Sequence, residues 1–131
     1  MLFVQKWSPV KSRDTSAAQA LFAPLELGSY VVLTADPAWK YKTWSLTNQA
    51  RGKGAYAQYK LMDTRTIAAL PVGELARHGA VLFLWCPAWA LVTGQAQFVA
   101  RAWSFEPVAE LVWRKVTKNG KPRWGTRPPG T

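Results

Sequence analysis

Asp36, Pro37, Ala38 and Trp39, in the stretch "TADPAWKYKTW", are the residues of this chain whose types and order could do chemistry. The apolar run "YVVLTA" ends on an aspartate, and proline and an aromatic follow at once. A carboxylate and a neighbouring main-chain carbonyl can together accept the two N–H bonds of an aromatic amine. The exocyclic amine of adenine needs such help, because its lone pair is delocalised into the ring. Two acceptors favour rehybridisation and stabilise the positive charge that develops as the nitrogen attacks a methyl donor. Proline supplies a carbonyl at fixed φ, and Trp39 offers a flat face to a base. In isolation an Asp-Pro pair is as well explained by a capped turn after a strand.

The surrounding pattern gives the pair its position. Residues 30–35 are β-branched and uninterrupted, which predicts a strand buried on both faces, as in a parallel sheet. Residues 80–85, "AVLFLW", predict a second strand. Ala88, Leu91, Val92, Ala96, Val99, Ala102 and Trp103 recur at helical spacing, so a helix should run to about residue 103. The segment "VAELVWRKV" after Pro107 predicts a third strand, reaching about Val116. A short helix over residues 16–23 is broken by Pro24 and Gly28. Asp63 or Thr64 can cap another over "TRTIAAL", which Pro71 stops, and "VGELA" adds one more turn. Alternating strands and helices define a parallel α/β sheet with right-handed crossovers, and ligands of such sheets gather outside the carboxyl ends of the strands. Asp36, Cys86 and Lys115 all fall near those ends. Between them, residues 37–60 have no regular period and contain Gly52 and Gly54, a loop long enough to be functional or disordered.

Composition excludes several classes. The chain has 131 residues, 49% apolar and 13% aromatic, enough for one domain with a modest core. No apolar run approaches the roughly 20 residues of a membrane span, and "MLFVQKWSPVKSRD" lacks the features of a secretory signal, so a cytoplasmic location is expected. One cysteine, Cys86, and one histidine, His78, offer neither a disulfide nor a zinc ligand set, and no metal is expected. Trp85, Trp103 and Trp113 read as core residues, and His78 as part of an exposed turn. No G-x-G-x-x-G turn or phosphate-binding P-loop occurs, which removes the usual dehydrogenase and nucleotide-hydrolase signatures.

Seventeen Lys and Arg against seven Asp and Glu give a net charge of +10. Lys40, Lys42, Arg51, Lys53 and Lys60 lie between Asp36 and Asp63 without an acid among them. Arg114, Lys115, Lys118, Lys121, Arg123 and Arg127 follow Glu110 in the same way. Basic clusters interleaved with Trp39, Tyr41, Trp44, Tyr56 and Tyr59 suit phosphate contact combined with base stacking. A solvated basic surface is the plain alternative.

The D-P-x-W run resembles the D-P-P-W motif of the MT-A70 family of adenine N6-methyltransferases, which use S-adenosylmethionine on RNA or DNA. "YKLMDTRTIAALPVGEL" resembles the family's Y-x-x-M segment and following helix, and "AVLFLW" its second strand. "ARAWSFEPVAELVWRKV" is similar to its helix, W-G-F turn and lysine-ending strand, and the basic insert around Gly52 looks like that of bacterial and phage members. The resemblance runs from about Leu27 to Gly125, after a lead over residues 1–26 and before an irregular tail over residues 126–131. It implies a Rossmann-like methyltransferase sheet, mostly parallel, with helices on both faces, S-adenosylmethionine as cofactor and nucleic acid as partner. Carried onto this chain, it implies that Asp36 and the Pro37 carbonyl hold the adenine amine, with Asp36 also close to the cofactor. Trp39 and Ala38 would then contact the base, Tyr59 would line the cleft, and Lys40 and Lys42 would face the nucleic acid. Lys115 would pair with the cofactor's carboxylate. Ala38 stands where the family has a second proline, which removes a restriction on residue 37 and predicts some loss of rate. The sequence ends at "GKPRWGTRPPGT", before the family's remaining strands. The expectation is therefore a sheet incomplete at its C-terminal end, completed by a second copy or partner subunit, or else a truncated, catalytically inactive nucleic-acid-binding remnant.

Overall fold

The structure, a computed structural model, describes residues 2–6, 15–41 and 60–122. In chain order the elements are β1 (Leu2–Lys6), α1 (Ser16–Phe22), β2 (Tyr30–Ala35), α2 (Thr64–Ala68), a 3-10 turn (Val72–Leu75), β3 (Ala76–Leu84), α3 (Ala88–Val92), α4 (Gln95–Ala102) and β4 (Phe105–Glu110). The four strands form one sheet in the order β2-β3-β1-β4. β2 runs parallel to β3, with Val32 opposite Val81 and Ala35 opposite Leu84. β1 is antiparallel to both neighbours, Leu2 facing Leu84 on one side and Glu110 on the other. Because β1 opposes both, β4 points the same way as β2 and β3, and the three helix-linked strands keep the parallel sense that their pattern predicts.

The N-terminal lead thus supplies an interior strand. β2 begins and ends where its β-branched run predicts, but it is an edge strand rather than one buried on both faces. Leu33 and Ala35 pack on the core, whereas Val31, Val32 and Thr34 are exposed.

The core lies on one face of the sheet. Leu82 and Leu84, two apart on β3, point to the same side. There they meet Ile67 of α2, Trp89 and Ala90 of α3, and Ala96, Val99 and Ala100 of α4. The spacing of the last three is the i, i+3, i+4 stripe of a half-buried helix. The opposite face, with Val81 and Phe83 half-buried and Val32 and Val108 exposed, lacks the second layer among the contacts that define this core.

Two local features depart from the sequence pattern. The expected helix over residues 88–103 is two helices, because Gly94 takes φ 76 and turns the chain between them. Trp103, 2% exposed, closes the second: its backbone bonds to the last turn and its indole N–H donates to the Ile67 carbonyl at 3.1 Å. Its own carbonyl is crowded against Gly73, where an added Cβ would stand 2.2 Å from that oxygen.

The following residue, Ser104, holds φ 65 to swing the chain into β4. A left-handed conformation costs a side-chain-bearing residue about 1–2 kcal/mol, and glycine's greater freedom when unfolded returns part of that. Ser104→Gly should raise stability by roughly 1 kcal/mol, seen as a few degrees in a thermal melt. An unchanged or lower melting temperature would mean that the turn carries no strain.

Candidate active site at the ends of β2 and β3

Backbone bonds fix the D-P-A-W turn on both sides. At its start, the Trp85 N–H donates to the Ala35 carbonyl at 2.8 Å, which carries the β2–β3 ladder one step past the strands. At its end, Met62 clamps the chain: its N–H donates to the Ala38 carbonyl at 2.7 Å, and its carbonyl accepts the Lys40 N–H at 2.8 Å. Trp39 and Met62 form the corresponding parallel bridge. Inside the turn the Trp39 N–H donates to the Pro37 carbonyl at 2.8 Å. That oxygen keeps one lone pair for a further donor.

Asp36 is exposed at the carboxyl end of β2, and Pro37 and Ala38 are half-buried. Trp39 is 5% exposed and belongs to the core. Its indole N–H donates to the Trp85 carbonyl at 2.8 Å, and its ring meets that of Trp89 edge-on, with centroids 6.1 Å apart. The indole face is therefore covered, and Trp39 anchors the turn from below instead of offering a surface to a base. The motif's aromatic was legible in the sequence, but the side on which it packs was not.

Lys40 is exposed beside an open depression of about 340 Å³ that it shares with Asp63, Thr64, Arg65 and Gln95. Asp63 caps α2 by accepting the Thr66 N–H at 2.8 Å. That backbone bond, joined by the Thr66 side chain and the charge of Lys40, holds the Asp63 carboxyl below its ordinary value. Thr64 donates to Gln95, tying the start of α2 to α4. A second cavity, of about 200 Å³, lies beside Ala18, Gly73 and the Trp103–Ser104 turn. That turn enters β4, so the cavity is at the amino end of the strands, away from Asp36.

Lys115 does not end a strand. β4 stops at Glu110, residues 111–115 are irregular, and a small hairpin follows in which Val116 bridges Pro122 and the Thr117 N–H donates to the Lys121 carbonyl. Lys115 is exposed in the segment between. Trp113, expected in the core, is 69% exposed and rests edge-on against Trp85, with ring centroids 5.9 Å apart. Cys86 is half-buried against the core, and His78 is exposed in the β3 bulge. Tyr59 and Lys42, together with Trp44 and the Gly52 insert, lie outside the described residues.

Sequence reasoning missed Met62 and Trp85, the two residues whose main chains hold the turn. Met62 was within sight as the last position of the Y-x-x-M segment. No signal marked Trp85, because its contribution is a carbonyl and an N–H.

A sheet whose helix-linked strands run parallel, carrying an exposed carboxylate and a clamped turn at their carboxyl ends, defines an α/β protein, the class whose ligands gather at that edge. The sequence model of the MT-A70 family matches residues 30–129, most of the chain, and the chain belongs to that family. MT-A70 proteins are Rossmann-like methyltransferases that generally use S-adenosylmethionine. No curated protein and no solved structure matches the chain. Among the described residues no helix is long and apolar enough to cross a membrane, and no group of three His, Cys, Asp or Glu is placed to hold a metal.

Proposed function

We propose that this chain methylates the N6 amine of adenine in DNA or RNA, with Asp36 as the group that takes the amine. The observation that carries the reading is the exposed carboxylate of Asp36 on a turn whose main chain is fixed on both sides. An acceptor held that firmly needs little reorganisation as charge develops, which is the condition for electrostatic stabilisation of a transition state.

S-Adenosylmethionine, when bound, supplies a methyl group on a cationic sulfur. The chemistry of the residues suits it: the exposed Asp36 carboxylate is an anion that a sulfonium could approach, and Lys115, an exposed ammonium five residues beyond the carboxyl end of β4, would pair with the cofactor's carboxylate. Asp36 and the remaining lone pair of the Pro37 carbonyl accept the two N–H bonds of the adenine amine. The cofactor would supply the methyl group to the amine nitrogen and leave as the neutral thioether, while the Asp36 carboxylate or water would take one N–H proton. Ala38 is a small neighbour that lets the base approach the turn. Lys40 contributes phosphate contact from the depression beside the turn, and Lys42 and Tyr59, outside the described residues, are proposed for the same substrate. Taking the target adenine out of a duplex costs a few kcal/mol, so single-stranded substrate is favoured.

A second reading, a nucleic-acid-binding module without transfer activity, is favoured by one observation. β2 ends the sheet among the described strands, leaving Asp36 flanked by a strand on one side only. A second copy or a partner subunit pairing along β2 would supply the other wall. Incubation with adenine-containing oligonucleotides and methyl-labelled cofactor tests the choice. Label recovered as N6-methyladenine supports the enzyme, and salt-sensitive oligonucleotide binding with no transfer and no cofactor uptake by calorimetry supports the module.

A further inference from the structure

Trp113 is a tryptophan in the open. At 69% exposure it leaves most of a large aromatic side chain in water, although burying such a side chain is strongly favourable. Val112 beside it is 78% exposed. Its ring is nonetheless placed: it stands edge-on to Trp85, at an interplanar angle of 70°.

Trp85 connects this ring to the candidate site. Its N–H bonds the Ala35 carbonyl, directly before Asp36, and its carbonyl holds the indole of Trp39. Residues 34 and 83 are paired neighbours on one side of the sheet, and alternation carries Asp36 and Trp85 to that same side, away from the helical core. The exposed indole thus packs on Trp85, whose main chain is bonded to the residue directly before Asp36.

The charge around Trp113 is of one sign. Arg114, Lys115, Lys118 and Lys121 follow it, all exposed, and no acid lies between Glu110 and the end of the hairpin. A protein partner would find an apolar patch ringed by cations. A single nucleic-acid strand would find a π-face for a base and cations for its phosphates, the combination by which such strands are held without sequence preference.

We infer that Trp113, supported by Trp85 and followed by Arg114 and Lys118, is a stacking shelf for a base of the acceptor strand next to the target adenine. The inference rests on the proposed nucleic-acid substrate and deepens it by naming where the strand lies. The cations steer the backbone, the indole stacks one base, and the neighbouring adenine is left over Asp36.

The test measures binding of a short fluorescent single-stranded oligonucleotide containing one adenine, by anisotropy, to the full chain and its variants. Trp113→Ala should weaken binding at least tenfold, Trp113→Phe should restore most of the loss, and the salt dependence of both should match the unmodified protein. Arg114→Ala and Lys118→Ala should each lower the slope of log affinity against log salt by about 0.7. Circular dichroism confirms that each variant is folded. Unchanged affinity in Trp113→Ala overturns the shelf while leaving the substrate class standing, whereas no oligonucleotide binding by the unmodified protein overturns both. Concentration-dependent self-association that Trp113→Ala abolishes, with oligonucleotide affinity unaltered, would make the patch a protein interface and also overturn the shelf.

Discussion

Replacing Asp36 by alanine removes methyl transfer, with an expected fall in kcat of about a hundredfold to a thousandfold or more and no matching loss of stability. The size follows from what the side chain does. Removing one preorganised group aimed at developing charge costs catalysis on the order of 10²–10³. On the proposed reading the lost group is the charged member of a pair of acceptors. Asp36→Asn separates charge from geometry: the amide keeps one acceptor oxygen in nearly the same place but adds a donor and removes the negative charge, so it should recover little of the rate. Asp36 is exposed at the end of β2, and surface substitutions usually stay within about ±0.5 kcal/mol. The melting temperature should therefore hardly move. Steady-state rates with labelled cofactor, beside thermal melts of the same preparations, check both halves. Methyl transfer at the unmodified rate by Asp36→Ala would remove the residue from the mechanism altogether.

The second large effect falls on Trp39, and it decides between two roles. As an anchor, the indole contributes a buried side chain, an edge contact with Trp89 and a hydrogen bond to the Trp85 carbonyl. Trp39→Ala should cost about 3–5 kcal/mol, a large share of the 5–15 kcal/mol that holds a typical domain. Trp39→Phe retains most of the ring but orphans the carbonyl, for about 1–3 kcal/mol. Both variants should lose kcat along with stability, because the turn that presents Asp36 loses its underside. A base-contacting tryptophan behaves differently: Trp39→Phe would leave denaturant unfolding unchanged and raise KM for the nucleic acid. Unfolding curves and the split between kcat and KM distinguish the two.

The contrast between Trp39 and Trp113 shows what the sequence could and could not say. β2 was legible to the residue, because six consecutive residues that favour extended backbone end on an aspartate and a proline. The cap of α2 at Asp63, the stop at Pro71 and the single turn after it were equally plain, since each follows from local backbone chemistry. Inside and outside were not. Both tryptophans sit among lysines and apolar residues, and only the fold shows that one points under the turn and the other away from it. Three further features stayed hidden for reasons of distance. β1 is only five residues long, and its partners lie far along the chain. Gly94 reads as a tolerated glycine in a helical pattern until its left-handed φ is seen. Lys115 ends an apolar run, yet β4 stops at Glu110, and residues 111–115 continue irregularly.

The family resemblance was legible because a few residues carry it in order, and the match over residues 30–129 covers the same stretch. The assignment of side chains within the motif needed coordinates. Asp36 is exposed at the end of β2, the Pro37 oxygen accepts the Trp39 N–H, and Trp39 turns inward.

The antiparallel strand in the middle of the sheet has a consequence for how the chain is made. Leu2–Lys6 is synthesised well before both of its neighbours, and the strand beyond it cannot join the sheet without it. Two distant loops must close before those hydrogen bonds form, which favours slow folding and leaves newly synthesised edges unpaired for longer. Nascent chains cut short before residue 105 would hold at most three of the four strands. Chaperone demand during translation should therefore be high, and a bulky tag fused directly to Met1 would be placed beside a segment that has to slot between two others.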